Sequence, residues 1–301
     1  MLPSKEIQFF DFFALLAERM KDYSLLVKFR LNLTVVFSAL IGYGLAVGSN
    51  LNLSNIIFLG LGGFFITGAA NAINQVLEKD YDKQMTRTQN RPVAAGRMSP
   101  TEGLLIAGIN GVIGAAILCY FFNSLAAFIG VFSLILYAFV YTPLKRVGSI
   151  AVAVGAIPGA LPPLIGWTAA TGALSYEAYL LFSIQFIWQF PHFWAIGWLG
   201  ADEYAKAGFK LHSGANDRNG KTAMQISVYI LFLMLLTLFP VILGIFSYYF
   251  AGAALIFGLF FFYTGISFVR NNNRQHALRV MIASILYLPL LQIAMVLDAI
   301  F

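Results

Sequence analysis

The positions of the positive charges constrain the fold of this chain more than any other feature. All nineteen Lys and Arg residues fall in five clusters, which alternate with long apolar segments. The clusters occupy residues 5–30, 79–97, 145–146, 206–221 and 270–279. Cytoplasmic loops of membrane proteins carry the excess of Lys and Arg, so each cluster is predicted to be cytoplasmic. Two spans then separate successive clusters and one follows the last, which predicts nine transmembrane helices with the N-terminus inside and the C-terminus outside.

The composition supports a protein embedded in the lipid bilayer. Hydrophobic residues make up 59% of the 301 residues and charged residues only 11%, whereas soluble domains carry about 25% charged residues. Apolar segments such as 104–121, 178–198 and 251–268 approach the roughly 20 residues that cross hydrocarbon. Spanning segments must satisfy their own backbone groups, so they are predicted to be helices. We therefore expect an all-α, polytopic membrane protein in which residues 1–301 form a single domain.

Residues 1–30 are predicted to form a cytoplasmic, partly amphipathic segment at the membrane surface. Charged residues interrupt this segment and no small-residue cleavage site follows a short apolar core, so it does not have the pattern of a targeting peptide. The first span is expected at about residues 33–47. The net charge of +6 is concentrated in the predicted cytoplasmic loops, so we predict no nucleic-acid partner.

The most informative polar stretch comprises residues 71–100. Asn74, Glu78 and Asp82 recur at intervals of four residues, so a helix would align their oxygen-bearing side chains on one face. Carboxylates at a membrane boundary are costly unless they are solvated, paired or bound to a metal, and oxygen ligands suit Mg²⁺. A solvated helix end would show the same spacing. The basic residues that follow are able to neutralise a phosphate-bearing ligand; they are Lys83, Arg87 and Arg91.

A second acidic group, formed by Asp202, Glu203 and Tyr204, follows the sixth predicted span. Two acidic groups on one membrane face could converge on one metal–diphosphate unit, although such residues are also ordinary at a helix end. His192 lies ten residues before Asp202, about three helical turns deeper in the membrane. A histidine among tryptophans and phenylalanines is compatible with a buried hydrogen-bonding role or with a contact to haem.

Three prolines lie inside one predicted span, at Pro158, Pro162 and Pro163. Proline removes a backbone donor and kinks a membrane helix, which is tolerated where the freed carbonyl groups face protein or a cavity. A packing kink and a cavity wall are therefore both open interpretations.

Several segments carry a family resemblance. The spacing of Asn74, Glu78 and Asp82, with the Arg, Asn and Pro residues that follow, resembles the first acidic motif of the UbiA-type intramembrane prenyltransferases. Three further segments closely resemble the haem O synthase branch of that group: YTPLKR from residue 141, GAIPGALPPLIGW from residue 155 and WQFPHFWAIGW from residue 188. The resemblance implies an all-α bundle of nine helices with a central cavity open to the cytoplasmic face.

The same resemblance implies a reaction and its partners. Farnesyl diphosphate, haem B and water would give haem O and diphosphate, with Mg²⁺ as the divalent cation. Haem O would then pass to a terminal oxidase, directly or after conversion by a downstream haem A synthase. The implied location is the bacterial plasma (inner) membrane, with the active-site loops in the cytoplasm.

The resemblance also implies roles for individual residues. The predicted metal-binding and catalytic residues are Asn74, Glu78, Asp82, Asp202 and Glu203. The predicted substrate-binding residues are Lys83, Arg87, Arg91, Lys145, Arg146, Tyr141, Tyr204 and His192, with His192 as the candidate haem contact. The chain departs from the family pattern in two places: Glu78 and Glu203 stand where many relatives carry Asp, and Gly200 and Ala201 replace a more polar pair before the second acidic group. Direct metal ligation is therefore expected less of the second group than of the first.

Two other functions fit parts of the pattern. A prenyltransferase of the same fold that acts on a quinone or aromatic precursor would share the acidic motifs but not the segment around His192. A membrane transporter would also combine many spans with a broken helix, although its binding site would lie near the middle of the membrane.

Overall fold

The computed structural model describes residues 5–209 and 220–300, and this part of the chain contains helices and no strand. The α-helices are α1 (Lys5–Leu26), α2 (Phe29–Val47), α3 (Leu53–Leu77), α4 (Lys79–Asp82), α5 (Pro100–Phe121), α6 (Ser124–Ile135), α7 (Thr142–Leu144), α8 (Ile150–Thr171), α9 (Tyr176–Leu199), α10 (Ala201–Lys206), α11 (Lys221–Ile242), α12 (Tyr248–Asn271) and α13 (Arg274–Ile300). A π-helix, Leu136–Tyr141, joins α6 to α7. The predicted all-α class is confirmed.

Within these residues, eight helical segments are long and apolar enough to cross a membrane. They are α2, α3, α5, the continuous stretch Ser124–Leu144, α8, α11, α12 and α13. The remaining predicted span, the sixth along the chain, corresponds to α9, which has 24 residues but carries Gln185, Gln189 and His192 among its apolar side chains. Helix α9 nevertheless packs against α8, α11 and α13. The protein is a polytopic membrane protein, and the count of nine spans stays a prediction.

Helix α8 is the most enclosed of the eight apolar segments, and it crosses α2 at very short range. A Cβ atom added at Gly166 would lie 1.8 Å from the carbonyl oxygen of Ala39, and one at Gly42 would lie 2.0 Å from that of Pro163. Only glycine allows such an approach, and close backbone contact is a usual way to pack helices in membranes. These two glycines therefore fix the contact between α2 and α8.

The prolines of α8 leave carbonyl oxygens without their helical donors, and neighbouring helices supply replacements. Pro163 has no N–H for the carbonyl of Gly159, which instead accepts a hydrogen bond from Gln185 Nε2 at 2.8 Å. Pro162 likewise frees the carbonyl of Pro158, which accepts from Ser133 Oγ at 3.4 Å. Because protein donors satisfy these groups, the contacts favour a packing kink over a cavity wall at this point.

Candidate active site

The first acidic motif lies where α3 leaves the apolar region. Glu78 separates α3 from α4, but the helical hydrogen bonds continue across it, from Glu78 N to Asn74 O at 3.0 Å and from Asp82 N to Glu78 O at 2.8 Å. The three residues, which are four positions apart, therefore stay on one face of a continuous helical backbone. All three side chains are buried at this end of the bundle. We refer to Asn74, Glu78 and Asp82 as the ladder.

Asp82, at the outer end of the ladder, forms an ion pair with Arg91 in which one guanidinium nitrogen contacts both carboxylate oxygens. Nη1 of Arg91 lies 2.8 Å and 2.7 Å from the two carboxylate oxygens. Thr88 Oγ1 donates to the carbonyl oxygen of Asp82 at 2.9 Å, which turns the loop back so that Arg91 reaches the carboxylate. Burial raises the pKa of the Asp82 carboxyl, and the charge of Arg91 offsets part of that effect. The structure thus brings the predicted residue Arg91 to the outer end of the ladder.

Glu78 pairs with Lys145, which comes from the loop after α7. Lys145 Nζ lies 2.9 Å from Glu78 Oε1, and both side chains are nearly enclosed. This contact has the distance of an ion pair without the angle of a hydrogen bond, so Oε1 remains a buried oxygen without a donor. An oxygen in that state is available to a further cation.

Asn74, at the inner end of the ladder, reveals a residue that the sequence patterns did not single out. Lys28 Nζ donates to Asn74 Oδ1 at 3.0 Å and lies 3.4 Å from the hydroxyl of Tyr137. Asn74 Nδ2 in turn donates to Thr142 Oγ1 at 3.1 Å. Lys28 adopts a left-handed conformation with φ of 50°, which costs a non-glycine residue about 1–2 kcal/mol.

The position of Lys28 explains why sequence reasoning missed it. It ends the N-terminal cluster of charges, where the topology alone accounts for a basic residue, and it belongs to no spaced motif. Burial lowers the pKa of the Lys28 ammonium well below its usual range, and the charges of Arg91 and Lys145 lower it further. A buried ammonium that faces two other cations is in the environment of an anion-binding site.

The charges and donor atoms of the ladder fit a divalent cation together with a diphosphate. Two carboxylates, of Glu78 and Asp82, face three cations, of Lys28, Arg91 and Lys145, so these groups carry a net charge of +1 when all are ionised. The ladder presents carboxylate and amide oxygens, which Mg²⁺ prefers. The oxygen of Glu78 that lacks a donor provides an available ligand. The residues present therefore fit Mg²⁺.

The second acidic group lies beside the ladder's loop, in α10. Glu203 accepts a hydrogen bond from the backbone N–H of Thr86 at 2.6 Å and pairs with Lys206 at 2.7 Å. The hydrogen bond from Lys206, followed by that from Thr86, lowers the pKa of the Glu203 carboxyl. Asp202 is exposed. Across residues 5–209 and 220–300, no three His, Cys, Asp or Glu side chains are close enough to hold one metal ion, so Asp202 does not form such a group with Glu78 and Asp82.

An apolar cluster connects the two acidic segments. Met85, Ala207 and Phe209 are buried in it, and Tyr81 and Tyr204 pack against them. The rings of Tyr81 and Tyr204 lie 5.8 Å and 6.2 Å from that of Phe209. The predicted residue Tyr204 therefore supports the contact between the segments in this structure.

The remaining predicted basic residues occupy different environments. Lys83 is exposed and pairs with Asp80 at 3.1 Å, and Arg87 is also exposed. Arg146 donates to the hydroxyl of Tyr81 at 2.5 Å. The structure thus brings Arg91 and Lys145 to the ladder but leaves these three at its periphery. Two other basic residues of the second loop, Lys210 and Arg218, lie outside the described residues.

Tyr141 connects the YTPLKR segment to α8. Its buried ring lies against Gly155, where an added Cβ would be 2.5 Å from the ring. Lys145 Nζ lies 4.7 Å from the centre of the same ring, within the range of a cation–π contact. Tyr141 therefore positions Lys145 toward Glu78.

His192 lies in α9 among aromatic side chains. Its ring stacks on that of Trp188 at 4.6 Å, and Phe193 lies edge-on at 5.7 Å. Nδ1 of His192 lies 2.8 Å from Ser284 Oγ of α13. These contacts belong to α9 and α13, and none involves the ladder.

Comparison with known proteins identifies relatives over nearly the whole chain. Residues 35–288 match the UbiA prenyltransferase family. A protoheme IX farnesyltransferase of Cytophaga hutchinsonii is 42% identical over 286 residues, which are 95% of this chain and 100% of that relative. A protein of the same name from Flavobacterium johnsoniae is 44% identical over 285 residues, covering 92% of this chain and 94% of the relative.

Solved structures with the same fold are more distant in sequence. A structure of digeranylgeranylglyceryl phosphate synthase superimposes with a TM-score of 0.77 at 18% identity and covers 94% of this chain and 99% of that one. A UbiA homologue from Archaeoglobus fulgidus, bound to GPP and Mg²⁺, gives a TM-score of 0.67 at 14% identity and covers 91% of this chain and 99% of that one. At these identities the structural likeness establishes the fold.

Proposed function

This chain belongs to the UbiA prenyltransferase family and, within it, to the protoheme IX farnesyltransferases, and from that premise we propose its complete reaction. The farnesyl group of farnesyl diphosphate is transferred to a vinyl group of haem B, water is added, and haem O and diphosphate are released. Farnesyl transfer to haem is the family's activity. The addition of water and the release of diphosphate are the proposed details.

The observation that carries this proposal is the ladder with its three cations. Lys28, Arg91 and Lys145 come from segments far apart in sequence, yet each contacts a different member of the ladder. Buried charges are retained at such cost mainly where they are paired or functional. A site that combines oxygen ligands with surplus positive charge suits a metal-bound diphosphate.

Asn74, Glu78 and Asp82 are the residues that would hold Mg²⁺. When bound, the ion would supply positive charge that stabilises the diphosphate as a leaving group. Asp202 would complete the metal's ligands only if α10 approached the ladder. Support for a divalent cation comes from the A. fulgidus homologue bound to GPP and Mg²⁺.

The chain's own residues act on the diphosphate and on the farnesyl group. Lys28, Arg91 and Lys145 would donate hydrogen bonds to the diphosphate oxygens, and this stabilises the charge that develops when the bond between farnesyl C1 and oxygen breaks. The exposed residues Lys83 and Arg87 would assist capture of the substrate. Their predicted direct contacts would require the loop to move.

Electrons then flow from haem to the farnesyl carbon. The departing diphosphate takes the C–O bonding pair, and the π electrons of the haem vinyl group form the new C–C bond. Water adds to the resulting cation on the haem side chain and loses a proton, which leaves a hydroxyl group. The rings of Tyr137 and Tyr141, which lie 5.4 Å apart near the ladder, are suited to stabilise an allylic cation. His192 is proposed as the haem contact.

Two alternatives are less well supported. A transporter site is expected near the middle of the membrane, whereas Glu78 and Asp82 follow the last residue of α3. A prenyltransferase of quinone or aromatic precursors would share the ladder. The strong identity to protoheme IX farnesyltransferases favours haem as the acceptor.

The orientation and location of the protein follow as part of the same proposal. We place the ladder at the cytoplasmic face of a bacterial plasma membrane, with the N-terminus inside and the C-terminus outside, because the basic clusters lie at the ladder's end of the helices. A terminal oxidase or a downstream haem A synthase would receive the product.

The reaction is tested with purified protein in lipid nanodiscs, supplied with haem B, farnesyl diphosphate and Mg²⁺ in H₂¹⁸O. We expect one equivalent of diphosphate for each haem converted and one ¹⁸O atom in the porphyrin product. A farnesylated product without ¹⁸O would contradict the water-addition step. A prenylated quinone precursor formed in preference to any haem product would contradict the choice of acceptor.

A further inference from the structure

Ser284 of α13 makes two side-chain hydrogen bonds that together define the state of His192. Ser284 Oγ lies 2.6 Å from the carbonyl oxygen of Met281 and 2.8 Å from His192 Nδ1. The backbone carbonyl of Ser284 accepts a third hydrogen bond, from Trp188 Nε1 at 2.8 Å. Trp188 also stacks on the His192 ring. The imidazole is therefore held from its face and from one edge.

The direction of these hydrogen bonds follows from the number of protons. A carbonyl oxygen has no proton to donate, so the single hydroxyl proton of Ser284 must point to Met281. The remaining lone pairs of Oγ can only accept, and His192 Nδ1 must then carry the proton of the second hydrogen bond. In a neutral imidazole with Nδ1 protonated, Nε2 carries a lone pair. This assignment follows from the hydrogen-bond network.

His192 Nε2 is available to a ligand. Among residues 5–209 and 220–300, the recorded hydrogen bond of this imidazole is made at Nδ1 and none is recorded at Nε2. The His192 side chain is half-buried. A neutral Nε2 lone pair, held by a hydrogen bond at Nδ1, is the usual arrangement of a metal-bound histidine.

The face of α9 that carries His192 is turned to the interior of the bundle. Gln185 lies on the same face of α9 as His192, two helical turns earlier. It accepts a hydrogen bond from Gln292 of α13 at 2.9 Å, and Gln292 in turn contacts Ser38 of α2. Each of these three side chains is buried. Polar side chains in a membrane interior face protein or a cavity instead of lipid, so this face of α9 is directed to the interior of the bundle.

We propose that Ser284 is a positioning residue that holds His192 with Nδ1 protonated and Nε2 directed to the iron of bound haem. The proposal rests on the proposed role of His192 as the haem contact. Removing the Ser284 hydroxyl frees the imidazole to rotate or to move its proton to Nε2, and either change weakens coordination. Loss of such a supporting hydrogen bond typically reduces metal affinity about 10- to 100-fold.

The test is a titration of the full-length protein in nanodiscs with haem, followed by the Soret absorption band. We expect Ser284→Ala to weaken haem binding about 10-fold and to alter the spectrum of the bound haem. Ser284→Thr keeps the hydroxyl and should restore both. The matched control is Ser227→Ala, because Ser227 is also buried and donates to a carbonyl one turn earlier in its helix; its haem binding should equal that of the unaltered protein.

A purely structural role for Ser284 predicts a different result. It would lower thermal stability or impair farnesyl diphosphate binding, without a specific change in the haem spectrum. The KM for farnesyl diphosphate should therefore remain unchanged in Ser284→Ala while the KM for haem rises. If the alanine variant does not fold, Ser284→Val and Ser284→Thr provide an isosteric pair that differs only in the hydroxyl.

The variants also separate failure of this inference from failure of the His192 assignment. Haem binding that is lost in His192→Ala but unchanged in Ser284→Ala, or equal in the Thr and Val variants, would overturn the role of Ser284 alone. Unchanged haem binding and turnover in His192→Ala would overturn both roles. The release of diphosphate from farnesyl diphosphate, measured in the same preparations, reports on the ladder independently.

Discussion

The two acidic segments of this protein lie next to each other but hold their charges in opposite ways. In the ladder, Glu78 and Asp82 are buried and are paired with cations from other parts of the chain. In α10, Glu203 pairs with Lys206, three residues away, and with a backbone N–H, while Asp202 is exposed. Electrostatic interactions are much stronger away from water. The ladder therefore holds its charges in a buried, strongly interacting environment, whereas Glu203 in α10 contacts the neighbouring loop.

The number of acidic residues in a motif does not by itself show whether its carboxylates are buried and paired with distant cations. Both segments combine carboxylates with nearby basic residues in sequence, and both belong to patterns that resemble prenyltransferase motifs. Among the described residues, the ladder has contacts with two cations distant in sequence, Lys28 at the Asn74 amide and Lys145 at the Glu78 carboxylate, whereas the recorded cation at Glu203 is Lys206, three residues away. Substitutions in the two segments should consequently have effects of different size.

The largest effect is expected for Asp82→Asn, which removes the buried charge that pairs with Arg91 and the predicted metal ligand. We expect farnesyl transfer to fall by at least about 100-fold, the scale of losing one major electrostatic contact to a reacting group. The measurement is the initial rate of haem O formation in nanodiscs.

The matched control for that variant is Asp80→Asn, because Asp80 lies in the same short helix but is exposed and pairs only with Lys83 among the described residues. Its rate should stay within a factor of about two, as expected for an exposed ion pair. Equal losses in the two variants would show that burial in the ladder is not what matters.

The second-largest effect is expected for Lys145→Met, on the KM for farnesyl diphosphate, and its control is Arg146→Met. Lys145 faces the buried Glu78 carboxylate, whereas Arg146 is exposed and contacts Tyr81. Loss of a charge-assisted contact of about 2 kcal/mol corresponds to a rise of about 30-fold in the KM for farnesyl diphosphate. Arg146→Met should change it several-fold less. A larger effect at Arg146 would reverse the assignment of these neighbouring cations.

A smaller effect is expected for Lys28→Met, with Arg30→Met as control. Lys28 contacts the neutral Asn74 and not a carboxylate, so its removal leaves no unpaired buried charge. We expect the KM for farnesyl diphosphate to rise about 10-fold with the KM for haem unchanged. Arg30 is exposed two residues away and its variant should behave as the unaltered protein. An unchanged KM in Lys28→Met would limit the anion site to Arg91 and Lys145.

The smallest effect is expected in α10. Glu203→Gln loses an exposed ion pair with Lys206 and should reduce the rate about threefold or less. Asp202→Asn tests whether α10 approaches the metal during turnover. If Asp202 is a ligand, the Mg²⁺ concentration for half-maximal activity will rise clearly in Asp202→Asn and remain nearly constant in Glu203→Gln. An unchanged Mg²⁺ requirement in both variants would remove α10 from the metal site.

Much of this arrangement was predictable because it follows from local periodicity. The interval of four residues between Asn74, Glu78 and Asp82 predicted that they share one helical face. The clusters of Lys and Arg predicted where the apolar helices are separated. Arg91 was predicted to act with the acidic residues because it follows them closely in the sequence.

Other features depend on tertiary contacts that no spacing reports. Lys28 reaches the ladder only because α2 and α3 pack together, and Gln185 reaches the freed carbonyl of Gly159 only because α9 lies against α8. The state of His192 depends on Ser284, 92 residues away. Such partners are specified by packing, which a single sequence does not display.

The proposed role of the ladder in farnesyl transfer to haem can be measured in cells that lack their own haem O synthesis. Haems are extracted after expression of the unaltered protein or of Asp82→Asn at matched membrane levels and analysed by mass spectrometry. We expect hydroxyethylfarnesyl haem with the unaltered protein and almost none with Asp82→Asn. Equal amounts of farnesylated haem in both cultures, or none in either, would contradict this role of the ladder.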